Sequence, residues 1–174
     1  CQNNSYTIEG NFTENTFDGK TVYLQKIDSM TAESSTIIDS VEIKGGKFEF
    51  KGKTDETPSM AFISVGKLEM RVEEAPVATF IIEPGKIKIS IDKRNVTTGG
   101  TPKNEEFNNV LLAMNKMGTL YEEVNKAGGV QAVPLDANGV DAMGRMQKLQ
   151  EELQKNSFEF AKNNMANKAG EFMF

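Results

Sequence analysis

The chain has 174 residues, 38% of them hydrophobic, with 11 Phe, 9 Met, no Trp and a formal net charge of -5. That is about one domain, large enough to bury a core unaided and too apolar for a disordered chain, and its dispersed Lys and Arg argue against a nucleic-acid partner. One Cys and no His leave no internal disulfide, no C-x-x-C pair, no Cys-based zinc site and no imidazole base, so no catalytic residue, cofactor or metal is expected.

The single cysteine is residue 1, followed by the polar run Gln2-Asn3-Asn4-Ser5. This start resembles a mature bacterial lipoprotein, whose N-terminal Cys carries a thioether-linked diacylglycerol. The expectation is lipid attachment at Cys1, a membrane partner through that lipid, and residues 1–5 as a tether. The first acidic residue is Glu9, whereas surface-directed lipoproteins of the Bacteroides group usually carry acids just after the Cys. That favours the periplasmic face of the envelope.

Residues 6–12 alternate apolar and polar, the period of a half-buried strand. Asp18-Gly19 marks a turn, and 21–27 a second strand. A third is predicted over 36–43, with Ile37, Val41 and Ile43 on one face. Gly45-Gly46 is the hairpin turn before a strand beginning at Lys47. Pro58 breaks the chain before a strand at 60–65, and 66–75 reads as a hairpin loop or weak strand. Residues 77–82 are almost continuously apolar, as in a central strand buried on both faces. Glu83-Pro84-Gly85 is a tight turn, and 86–92 alternates with Ile87, Ile89 and Ile91 inward. About seven strands predict an antiparallel β-sandwich-like domain over 6–100.

The period changes after Gly99-Gly100. Thr101-Pro102 reads as an N-cap with Pro at the first helical position. Phe107, Val110, Met114, Met117, Tyr121 and Val124 then form one apolar stripe, and Gly128-Gly129 ends the helix. A second helix is predicted over 140–165, with Met143, Met146, Leu149 and Leu153 inward. The class is thus α+β, with a C-terminal helical hairpin in a helical region spanning 101–174. The apolar ending Phe172-Met173-Phe174 suggests a chain continuing into a further domain.

Candidate sites are few. Asp136-x-Asn138-Gly139-x-Asp141 is a fragment of a calcium loop without its closing Glu, and Asp141 better suits a helix cap. Glu73-Glu74 and Glu151-Glu152 read as solvated faces, not as a tuned acid and base. The methionines at 114, 117, 143 and 146 read as helix–helix core, with an adaptable apolar groove as the rarer alternative. Ser29 and Ser40, in Asp28-Ser29-Met30 and Asp39-Ser40-Val41, are candidates for O-glycosylation because they match the short motif used in the Bacteroides group.

One ordered set of features resembles a known family. It comprises Tyr6-x-Ile8-x-Gly10, Asp18-Gly19-Lys20-Thr21-Val22-Tyr23-Leu24, Ile38-Asp39-Ser40-x-x-Ile43 and Gly46-Lys47-Phe48-x-Phe50-x-Gly52. Pro58, Phe80-x-x-Glu83-Pro84-Gly85-x-Ile87 and Gly100-Thr101-x-x-Asn104 complete it. Such a set resembles the N-terminal domain of unknown function that precedes a thioredoxin-like domain in envelope thiol:disulfide interchange proteins of the Bacteroides group. The resemblance implies a recognition or positioning role, with redox chemistry in a thioredoxin-like domain that these residues do not contain. The rival expectations are a stand-alone lipoprotein binding an apolar ligand or protein partner, and a structural or adhesive module.

Overall fold

A computed structural model describes residues 4–27, 35–54, 58–67 and 75–164. Eight strands precede two helices. They are β1 (Ser5–Phe12), β2 (Thr21–Ile27), β3 (Ser35–Glu42), β4 (Lys47–Lys53), β5 (Ser59–Val65), β6 (Ala78–Ile82), β7 (Gly85–Asp92), β8 (Asn95–Gly99), α1 (Pro102–Ala127) and α2 (Ala142–Asn163). One sheet has the order β4-β1-β7-β8 and the other β3-β2-β5-β6. The α+β class, a sandwich followed by a helical hairpin, is the one the periodicities indicated. One pairing departs from an all-antiparallel sandwich: β1 and β7 run parallel, from Tyr6 beside Gly85 to Phe12 beside Ile91.

Alternation does what it predicts in β1, β4 and β7. Ile8, Phe50, Ile87, Ile89 and Ile91 are buried between the sheets with Leu24, Ile63 and Phe80. Two aromatic–glycine pairs fix β1 against β4. Gly10 lies opposite Phe48 and Gly52 opposite Tyr6. Each ring fills the space a Cβ would occupy on the facing glycine, so the missing side chain is replaced across the ladder. A polar clasp closes the far end. Asp18 Oδ1 accepts from the Gly46 amide at 2.7 Å, and Phe12 N–H donates to the Gly46 carbonyl at 2.6 Å. Gly46 has φ +75°, and a Cβ there would meet the Phe12 carbonyl, so this turn requires glycine.

Four expectations need correction. The register between β2 and β3 shifts at Leu24/Gln25, leaving Ile38 as the extra residue. Ile37 and Ile38 are therefore both largely exposed, at 45% and 43%, because the bulge breaks the period that placed Ile37 inward. The strand at Ala78–Ile82 is buried on both faces, yet it is the terminal strand of its sheet, with α1 beyond its open edge. The eighth strand, Asn95–Gly99, was not foreseen, because only Val96 in it is a large apolar residue. Finally, Met114 and Tyr121 on α1 and Met143 on α2 are exposed. Among the four methionines read as helix–helix core, only Met117 is fully buried.

The hairpin is lightly packed. Leu120, Val133 and Ala142 form its small apolar cluster, while Phe107 and Phe160, 5.2 Å apart edge to face, join the hairpin's base to the sandwich core. Asp141 caps α2 through Gly144 N–H at 2.8 Å, as expected.

Candidate functional site

Residues 83–104 converge on one corner. Gly100 has φ +88°, and a Cβ there would collide with the Lys86 carbonyl, so glycine is required where β8 turns into α1. Glu83, almost buried, accepts the Lys103 amide at 2.7 Å, so its carboxylate sits at the positive end of the α1 dipole. Asn104 is wholly buried. Its Oδ1 accepts from Ile81 N–H at 2.9 Å and from the Thr98 hydroxyl at 3.0 Å. Its Nδ2 donates to the Ile81 carbonyl and to Thr101 Oγ1, both at 2.8 Å. One side-chain amide thus pairs with the open edge of β6 as another strand would. Further along α1, Asn108 accepts from Thr98 N–H, and Asn115 takes both the N–H and the carbonyl of Val96. The helix thereby covers both sheet edges through three asparagines.

Beyond Asn115 the helix leaves the sheet edge, and a cleft of about 720 Å³ opens between α1, β6, the β7–β8 hairpin and α2. Phe107, Val110, Leu111 and Leu153 line its inner end. Because Val96 pairs with Asn115 and Thr98 with Asn108, α1 runs antiparallel to β8. The hairpin tip, Lys93 and Arg94, therefore lies at the other end, beside the turn carrying Gly118, Tyr121 and Glu122. Met114 and Tyr121, 50% and 49% exposed, flank Gly118 on the same helical face. A glycine inside a helix costs about 0.8–1 kcal/mol relative to alanine. Here no crowding explains it, since a Cβ at Gly118 would meet no heavy atom within 4 Å. The larger concavity, about 850 Å³ over β1, β4 and β7, is a shallow charged face lined by Glu9, Lys47, Glu49 and Lys88. Val41, Phe48 and Ile89 also line it, but it opens broadly to solvent rather than enclosing a ligand.

Cys1, Ser29 and Glu73-Glu74, like the predicted loop over 66–75 beyond Lys67 and the C-terminal residues from Met165, lie outside the described residues. Ser40 stands exposed on the edge strand β3, its amide donating to Asp39 Oδ1 at 2.8 Å. Asp136 Oδ1 accepts two amides, from Asn138 and Val140, both at 2.9 Å. Those bonds hold its carboxyl below the usual range, the Val140 amide foremost. They make the 136–141 segment a turn and helix cap. Among the described residues no three His, Cys, Asp or Glu side chains gather as metal ligands. Glu152 pairs with Lys116 at 3.0 Å. Arg145 holds Glu123 in a two-point contact at 3.0 and 3.2 Å, and that hydrogen bond lowers the Glu123 carboxyl from its ordinary value. No helix among the described residues is long and apolar enough to cross a membrane.

The sequence pointed to the methionines at 114 and 117 as core or groove, and only the structure separates the two. Lys93, Arg94 and Gly118 were missed. The one local cue was a glycine interrupting a helical stripe.

The molecule is thus a two-sheet sandwich whose open side is closed by an asparagine-bearing helix. It belongs to the family described as a domain of unknown function (DUF4369), whose model matches residues 6–107. Among solved structures it is similar to the T6SS lipoprotein TssJ1 from Pseudomonas aeruginosa. Identity is 8%, coverage 58% of this chain and 98% of that one, and the TM-score 0.34, a likeness too slight to bear on function. No curated protein matches the chain.

Proposed function

We propose that this chain is a non-catalytic recognition and positioning module of a lipid-anchored envelope protein related to thiol:disulfide interchange proteins. Its recognition surface is the cleft at the distal end of α1. The observation that carries the reading is the contrast within that helix. The family-pattern residues Glu83, Gly100, Thr101 and Asn104 are all engaged with the backbone or with one another. They build the fold. The exposed apolar side chains Met114 and Tyr121 stand over a cavity instead, where burial by a partner would remove apolar surface from water.

Anchoring would come from Cys1 and electron transfer from a thioredoxin-like domain elsewhere in the parent protein. The volume of the cleft also suits a second reading, a stand-alone lipoprotein holding a small apolar ligand. The purified chain is expected not to reduce insulin disulfides, since its one sulfhydryl residue cannot form a resolving pair. Sustained insulin reduction by it would overturn the module reading. Palmitate labelling in cells, compared between wild type and Cys1→Ala, tests the anchor; equal labelling would exclude it.

A further inference from the structure

We propose that the cleft binds a single-chain amphiphile with an anionic head, its tail lying across Gly118 and its head at Lys93 and Arg94. This rests on the cleft being the recognition surface and adds the chemistry of the occupant.

Three independent features point the same way. The cavity has two unlike ends: Phe107, Val110 and Leu153 at the inner end, and two cations on the β7–β8 hairpin at the outer. An elongated ligand with an apolar body and one charged end matches that division. Lys93 and Arg94 form no ion pair among the described residues. The protein as a whole is acidic, with a net charge of -5, so these two cations, against Glu122 as the one acid among the described lining residues, make the outer end locally positive. Finally, Gly118, exposed between Met114 and Tyr121, forms a notch that nothing among the described residues fills. A helix that gives up stability for an open notch gains by it only when something else lies there. The unbranched Met114 can repack along a chain of methylenes.

A fatty acid and the lysophospholipid of a bilayer share this chemistry. The probe is decanoate, with decan-1-ol as its uncharged counterpart, titrated calorimetrically into the 174-residue chain. Wild type is expected to bind decanoate saturably and about tenfold more tightly than decan-1-ol. In Gly118→Leu, which fills the notch, both affinities should fall about tenfold while the melting temperature holds or rises. In the double variant Lys93→Glu, Arg94→Glu, decanoate should lose its advantage while decan-1-ol binding is retained. As a readout independent of any variant, the Met114 methyl resonance of wild type should shift with decanoate and that of Met143 should not. Titration with vesicles carrying lysophosphatidylglycerol then separates the sources once decanoate binds: tighter binding to those vesicles than to free decanoate assigns the head to a membrane lipid, weaker or no vesicle binding to a soluble acid.

Absence of saturable decanoate binding, or binding unchanged in Gly118→Leu, would overturn the proposal. So would a dimer that Gly118→Leu dissociates, which would assign the cleft to a second copy of the chain. Any of these results with a silent insulin assay removes the ligand class alone. An active insulin assay removes the module reading whatever the ligand.

Discussion

The two halves of α1 use their side chains in opposite ways. Near its start, Asn104 is wholly buried and makes four hydrogen bonds to β6, β8 and the helix cap. From Met114 onward, one face of the helix, with Met114, Gly118 and Tyr121, borders open space while Met117 and Leu120 stay buried. Asn104 lies within the matched residues 6–107, and Met114, Gly118 and Tyr121 lie beyond them. The Asn104 corner, which closes the sandwich, thus falls inside the family match, while the cleft straddles its end, with Lys93, Arg94 and Phe107 inside and Gly118 and Tyr121 beyond. A family signature can describe how a fold is held without touching what it does.

Three substitutions would break or sharpen this contrast. Asn104→Ala should have the largest effect, because it leaves the Ile81 amide and carbonyl and two threonine hydroxyls buried without partners. A loss of about 3 kcal/mol or more is expected in urea unfolding. A loss under about 1 kcal/mol would mean that water replaces the amide and that the corner is less closed than described. Gly118→Ala should act in the other direction, stabilising by about 0.5–1 kcal/mol through helix propensity alone, measured by the same unfolding curves. Destabilisation there would show that the notch is already filled.

The smallest effect concerns the hairpin, where Arg145–Glu123 and the Asp136 turn add to the apolar cluster of Leu120, Val133 and Ala142. Both carboxyls lie below their ordinary values of 4.5 and 3.8 in the folded chain. Their contribution is thus complete above those values and is lost as pH falls through the lower folded ones. Protection factors in α2 should fall on acidification through that window, before those in β1 and β7 change. In Arg145→Ala, carbon-detected titration should find the Glu123 carboxyl returned toward its ordinary value.

Much of the sandwich was legible because two-residue alternation survives wherever a strand has one buried and one wet face, as in Lys86-Ile87-Lys88-Ile89. The signal failed where backbone pairing, not hydrophobicity, sets the environment. β8 shows a single large apolar residue because its exposed edge is met by Asn108 and Asn115. Asn104 is buried although polar, for the same reason. Ile37 was misplaced because a bulge is a register event with no compositional mark. The helical stripe was correct in period and wrong in extent. Periodicity reports which side chains share a face, but not where the opposing surface ends, and that end is where the cleft begins.

The parallel pairing of β1 with β7 constrains how the chain reaches this fold. β1 sits inside its sheet between β4 and β7, so it needs a neighbour beginning at Gly85, far later in the chain. Until that distant segment is made, the apolar row Tyr6, Ile8 and Phe12 has only β4 beside it. Such long-range closure is slow and leaves a sticky nascent edge. Fragments ending before residue 85 should aggregate where the longer chain folds.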